Sequence, residues 1–77
     1  MKVKIIKGDS YNVYVYPEDN APPHCHIRYK NDEAESVVGL PLLNLIAGKP
    51  VPKPIRNVLS NKINELTKAW TQLNPNN

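Results

Sequence analysis

The apolar residues of this chain change their spacing once, and that change decides the class of fold. Up to Val38 they recur at every second position; from Ile55 they recur at helical spacing. KVKII (Lys2 to Ile6) and YNVYVY (Tyr11 to Tyr16) alternate, are rich in β-branched and aromatic residues, and are separated by GDS, the pattern of a hairpin. HCHIRYK (His24 to Lys30) alternates again, Asn31-Asp32 offers a two-residue turn, and EAESVV (Glu33 to Val38) follows. By contrast, Ile55, Val58, Leu59, Ile63, Leu66, Ala69, Trp70 and Leu73 fall on one helical stripe. The expectation is an α+β domain spanning residues 1–77. An antiparallel sheet of four to five strands, within about 2–47, is covered on one face by a single long C-terminal helix of about 54–73.

Proline marks the joints. PEDNAPP (Pro17 to Pro23) cannot continue a strand, because its three prolines lack ladder donors. GKPVPKP is a stiff connector, and Pro54 suits the first turn of a helix. Leu42 to Ala47 reads equally as a short strand or as an irregular apolar segment over the sheet's edge. NPNN after Leu73 ends the helix and is expected to fray.

A strand's period of two also fixes which residues share a face. Pairing Lys30 with Glu33 sets Arg28 opposite Glu35 and His26 opposite Val37. On the other face it sets Cys25 opposite Val38, Ile27 opposite Ser36 and Tyr29 opposite Ala34. A slip of one residue would place charge in the core, so this register is well specified. Trp70 is expected against Val13, Val15, Cys25 and Ile27. Tyr14, Tyr16, His24, His26, Arg28 and Lys30 are expected on the opposite, open face. Lys62 is the anomaly: it interrupts the apolar stripe between Val58 and Leu66, and its ammonium must snorkel past the helix edge.

Bulk properties limit the function. A chain of 77 residues buries only about 60% of its unfolded surface, so chemistry would sit on a face, in a shallow groove or at a subunit boundary. One cysteine excludes an internal disulfide and any CxxC pattern, and fits a reducing compartment. The N-terminal apolar run is too short for a signal peptide, and no segment approaches membrane-spanning length; a cytoplasmic location without membrane contact is expected. The net charge of +3 is uneven. Lys49, Lys53, Arg56, Lys62 and Lys68 stand against Glu65 alone after residue 48, which leaves nucleic acid as a possible partner.

The stretch PPHCHIRYKNDEAE resembles the signature of a family of small bacterial proteins, domain of unknown function 4160, whose members read close to P-x-x-H-x-PPHFHV-x-Y-G-x-x-E-A. The likeness continues through Gly48, Val51-Pro52, Glu65-Leu66 and Trp70, from about Tyr11 to Trp70. The resemblance implies a cytoplasmic bacterial protein, often encoded beside another small protein and suspected of belonging to a toxin–antitoxin-like pair. Two positions depart from the pattern: Cys25 replaces the aromatic between the histidines, and Lys62 stands where family helices often carry a histidine.

Three chemistries compete for His24 and His26. As metal ligands they share one face of a strand, but a site needs three or four donors, and Glu18, Asp19 and Glu35 lie at no diagnostic spacing. As acid and base they would make a metal-independent ribonuclease, with Arg28 and Lys30 on the phosphate and Tyr14 and Tyr16 stacking a base. That role competes with cross-strand pairing of Arg28 to Glu35 and Lys30 to Glu33. As contact residues they need less, since tyrosine and arginine suit interface cores. The expected function is a non-enzymatic binding module, with no cofactor and no metal. Tyr14, Tyr16, His24, His26 and Arg28 would meet a protein partner encoded nearby, or a second copy of the chain.

Overall fold

The computed structural model describes residues 2–75. Five antiparallel strands lie in chain order across one sheet: β1 (Val3–Lys7), β2 (Tyr11–Val15), β3 (His24–Tyr29), β4 (Glu35–Gly39) and β5 (Leu45–Gly48). Two helices follow, α1 (Lys53–Asn61) and α2 (Ile63–Leu73). The ambiguous segment after Pro41 therefore resolves as a fifth strand at the sheet's edge. Gly48 ends it at φ 84°, where a Cβ would strike the Glu35 carbonyl of the neighbouring strand.

The register of β3 on β4 follows the alternation: Cys25 faces Val38, His26 Val37, Ile27 Ser36 and Arg28 Glu35. The regular ladder stops there, so the turn is longer than the two-residue Asn31-Asp32 expected. Asp32 Oδ1 accepts a hydrogen bond from the Ala34 N–H (2.9 Å) and builds the turn around its own side chain. Lys30 does not pair across to Glu33; its ammonium donates to the Gly8 carbonyl (2.8 Å) and ties this hairpin to the β1–β2 turn.

Val13, Val15, Cys25, Ile27 and Val38 form the buried face, under Ile55, Leu59, Leu66 and Trp70. Among the described residues, Ser36 is the one fully buried polar residue in this layer. Its hydroxyl hydrogen goes to the Lys49 carbonyl (2.5 Å), so Tyr29 must donate its own O–H to Ser36 Oγ (2.8 Å).

The expected single helix is two. Lys62 leaves helical geometry (φ −113°, ψ 21°) between segments of nine and eleven residues. The distortion falls on the residue that interrupts the stripe, and the ladder runs through it: the Lys62 N–H donates to the Val58 and Leu59 carbonyls and its carbonyl accepts from the Leu66 N–H (3.1 Å each). A straight helix would aim Lys62 at the core, where its ammonium could not be desolvated without a partner. The break turns the side chain out, half-exposed and 3.9 Å from Glu65, while Val58 and Ile63 on either side still pack on the core. Asn74 caps α2 through its backbone N–H to the Trp70 carbonyl (2.8 Å) and Pro75 follows; Asn76 and Asn77 lie outside the described residues.

This packing predicts unequal costs for two leucines. Leu59→Ala removes a fully buried side chain and is expected to cost about 2–5 kcal/mol in urea denaturation. Leu42→Ala, at a residue 80% exposed, is expected within about 0.5 kcal/mol of wild type. Comparable losses at both positions would show that the helices do not pack as described.

Candidate functional site

The loop between β2 and β3 does more than reverse the chain. Glu18 adopts φ 54°, a left-handed turn that brings its N–H to the Leu73 carbonyl (3.3 Å) at the end of α2. The next residue, Asp19, donates its N–H to Asn74 Oδ1 (2.6 Å). The Asn74 amide in turn donates to the carbonyls of Tyr16 (3.0 Å) and Trp70 (3.2 Å). Asn74, buried at 3% exposure, thus clamps the loop to the helix end and fixes where the Asp19 carboxylate points.

It points at both histidines. Asp19 Oδ2 lies 2.9 Å from His24 Nε2 and 3.4 Å from His26 Nε2. His24 Nδ1 is 2.7 Å from the Pro22 carbonyl, which can only accept, so that nitrogen carries a hydrogen. Proline fixes its own φ and so aims this carbonyl. Burial alone would raise the Asp19 pKa. The Asn20 backbone N–H, the charge of His24 and the hydrogen bonds from His26 and His24 outweigh it and hold the carboxyl below its usual value. His26 stacks on Tyr16 (ring centroids 4.4 Å, 16° between planes) and meets the edge of His24 at 5.1 Å. Its Nδ1 is buried without a hydrogen-bond partner, the Glu35 carboxylate being 3.8 Å away.

Burial divides the row of expected contact residues. Arg28 is exposed, and Tyr16 and His26 are half-buried. Tyr14 (8% exposed) and His24 (9%) are buried, contrary to their expected place on an open face. His24 tucks against Trp70, centroid to centroid 4.9 Å, because β2 ends at Val15 and the returning loop closes over the start of β3. Only one of the two imidazoles touches Trp70 in this way. Tyr14 is covered by Lys4 of β1 and by Lys2 just before it: the Lys2 and Lys4 ammoniums sit 4.5 and 6.0 Å from its ring centroid. Across the sheet this face reads Lys4–Tyr14–His26–Val37–Ala47 in one row and Lys7–Asn12–Arg28–Glu35 in the next. No helix covers it, since the helices pack on the opposite side.

Cys25 lies on the helix side, fully buried, and burial pushes its thiol pKa up to about 12, so it is inert as a nucleophile. Two of the five C-terminal cations pair with carboxylates within the chain, and a third is held by a backbone carbonyl. Lys49 pairs with Asp32 (2.9 Å), Arg56 donates to the Leu43 carbonyl (2.7 Å), and Lys62 reaches Glu65. The basic surface suggested by charge counting is correspondingly thin.

The two edges of the sheet differ. β1 carries Lys4 and Lys7, which discourage another strand from pairing there. β5 reads Leu-Ile-Ala-Gly, uncharged and exposed throughout, with Leu45 at 45% and Ile46 at 44%, and Leu42 stands beside it. The LLNLI run held this signal in the sequence, but an apolar run alone does not distinguish an edge from a core strand.

A family model described as "Domain of unknown function (DUF4160)" matches residues 10–76. No curated protein and no solved structure matches the chain.

Asp19 generates a pH dependence of fixed sign. Its folded pKa lies below the unfolded value of about 3.9, so the unfolded chain binds more protons in that window and stability rises with pH. The Asp19 contribution is therefore complete above that window and is lost as pH falls through the folded pKa. Asp19→Asn is expected to lower stability at pH 7 and to flatten part of the loss seen on acidification below about pH 4. An acid limb in thermal melts identical to wild type would mean that the carboxylate is not engaged by the histidines.

Proposed function

The chain belongs to the DUF4160 family, and from that premise we propose that it is a small non-enzymatic binding module, one component of a toxin–antitoxin-like pair. It acts in the cytoplasm and holds a partner protein through its sheet. The observation that carries the reading is the β5 edge, four uncharged residues exposed along the sheet's margin with Leu42, Leu45 and Ile46 outward. An edge strand presents unpaired N–H and C=O groups, and an apolar one with no lysine is a template for another strand. The occupant of that chemistry is an extended segment of a second polypeptide. It makes main-chain hydrogen bonds to β5 and buries apolar side chains on Leu45 and Ile46.

The open face continues the contact. Ala47 and Val37 lead from the edge to His26, with Tyr16 and Arg28 beside it, an apolar centre with a polar rim. Tyr14 and His24 act beneath this surface as supports. The family resemblance, with its neighbouring small genes, favours a heterologous partner. Nucleic acid is less well served, because the cations after residue 48 are largely engaged within the chain.

The ribonuclease alternative asks His24 and His26 to exchange protons with substrate. Against it, both ring nitrogens of His24 are already engaged, by the Pro22 carbonyl and by Asp19. Acid–base work needs a nitrogen within reach of the reacting atom.

Co-expression with the product of the adjacent gene tests the proposal. A stable complex is expected to form with the wild-type chain. Ile46→Lys and Leu45→Lys are expected to weaken it by about tenfold or more, equivalent to 1.4 kcal/mol, while circular dichroism shows an intact fold. A complex indifferent to both lysines removes β5 from the interface. A dimer of the chain alone in sedimentation, abolished by the same lysines, would give the edge to a second copy instead. RNA cleavage by purified protein, lost in His26→Ala with the fold preserved, would overturn the non-enzymatic reading.

A further inference from the structure

We propose that Asp19, His24 and His26 form a site for one divalent first-row transition-metal ion, with Zn²⁺ the natural probe. The site does not rest on the β5 edge, although His26 also lies on the proposed contact face. Its basis is the convergence of three donor atoms of the right kind. Asp19 Oδ2 and one ring nitrogen from each histidine all lie within 4.8 Å of one another. Around an ion with bonds of about 2.1 Å, neighbouring donors stand about 3.0 Å apart in octahedral and about 3.4 Å apart in tetrahedral geometry. The carboxylate oxygen already sits 2.9 Å from His24 Nε2 and 3.4 Å from His26 Nε2. The two imidazole nitrogens lie within 4.8 Å of each other, so small side-chain rotations complete the set.

The outer contacts point the same way. A histidine that binds metal through Nε2 usually donates its other N–H to a carbonyl or carboxylate. His24 does so: Nδ1 faces the Pro22 carbonyl at 2.7 Å, which leaves Nε2 as the inward donor. His26 has the corresponding arrangement half-made. Its Nδ1 is buried with no hydrogen-bond partner, and the Glu35 carboxylate waits at 3.8 Å. A hydrogen on Nδ1 leaves the Nε2 lone pair free to face the ion, and a shift of the Glu35 carboxylate into hydrogen-bond range would satisfy the orphaned atom.

Without a cation at the centre, the same geometry faces two imidazole nitrogens onto one carboxylate oxygen, and each must supply a hydrogen. For a neutral His26 that choice leaves Nδ1 as a bare acceptor in a buried place, and for a charged His26 it leaves the Nδ1–H 3.8 Å from Glu35, beyond hydrogen-bond reach. A metal ion resolves both contacts at once. The PPH sequence then gains a purpose beyond strand entry, since Pro22 supplies the carbonyl that orients the first ligand.

Two nitrogens and one carboxylate are the donors of zinc, iron, cobalt or nickel rather than of magnesium or calcium, which take oxygen. Cys25 cannot join, since its side chain lies on the helix side of the sheet. Three protein ligands leave at least one position for water or another ligand. It opens on the side of Asp19, whose side chain is 23% exposed against 11% and 15% for the histidines. The site also lies beside the C-terminus of α2, whose dipole favours a cation.

Isothermal titration of untagged, chelator-treated protein with ZnCl₂ tests the proposal, with the Co²⁺ visible spectrum reporting coordination. One saturable site per chain is expected, with retention in Cys25→Ala. Asp19→Ala and His26→Gln are each expected to weaken binding more than about tenfold, the lower limit for losing even an outer contact, and Glu35→Gln about tenfold. Because Asp19 also anchors the loop, the wild-type protein supplies a second readout that needs no variant. On adding Zn²⁺, the Nε2 resonances of both histidines are expected to shift in ¹⁵N spectra while both Nδ1 atoms stay protonated. Absence of saturable binding, binding unchanged in both ligand variants, or unshifted imidazole resonances overturns the site.

Discussion

The buried amide of Asn74 holds together parts of the chain that share no secondary structure. Its oxygen takes the Asp19 N–H and its nitrogen serves the carbonyls of Tyr16 and Trp70, so the strand end, the loop and the helix end meet on one side chain. A loop carrying three prolines has few donors of its own, and a helix end leaves carbonyls unsatisfied. Asn74 meets both needs because an amide is donor and acceptor together. Everything at this end of the sheet follows from it, including the direction of the Asp19 carboxylate and the closure over His24. A carboxylate at position 74 could not donate, and a hydroxyl has a single hydrogen for the two carbonyls.

Lys62 shows the same logic on a larger scale. The core needs an apolar stripe along the whole C-terminal segment, and one cation stands in its middle. The distortion at this single residue keeps the hydrogen-bond ladder on both sides, and it avoids burying an unpaired ammonium, which would cost several kcal/mol. The two short helices keep Ile55, Leu59, Leu66 and Trp70 on one core.

Strand pairing was legible in the sequence because alternation is a local property. The pairing of Cys25 with Val38 and Arg28 with Glu35 needed only the period of two and the placement of charge. What alternation could not carry was the fate of a side chain at a strand's end. His24 and His26 share a parity, yet one is sealed against Trp70 and the other stacks on Tyr16, because a loop and a helix terminus arrive from distant parts of the chain. Tyr14 lies on the expected face but is buried for a related reason: Lys2 and Lys4, which cover it, come from the segment that forms β1 and its approach. The helix break was legible as an anomaly at Lys62, though not as a break. Asp19 was one of three acidic candidates near the histidines. Only the Asn74 clamp, fifty-five residues away, distinguishes it from Glu18 and Glu35.

The working surfaces can be separated by experiment because of where they lie on the sheet. His26, Val37 and Ala47 are opposite one another on successive strands, so His26 is two strand spacings, about 10 Å, from the β5 edge. Substitutions at that separation with no shared partner are usually additive. Lysine at Ile46 therefore disturbs strand addition without touching the donors around Asp19. Glutamine at His26 changes those donors while leaving the backbone groups of β5 in place. The sheet thus offers a peptide-binding margin and a polar cluster as two devices on one frame. Most of the frame's stability comes from the apolar face opposite.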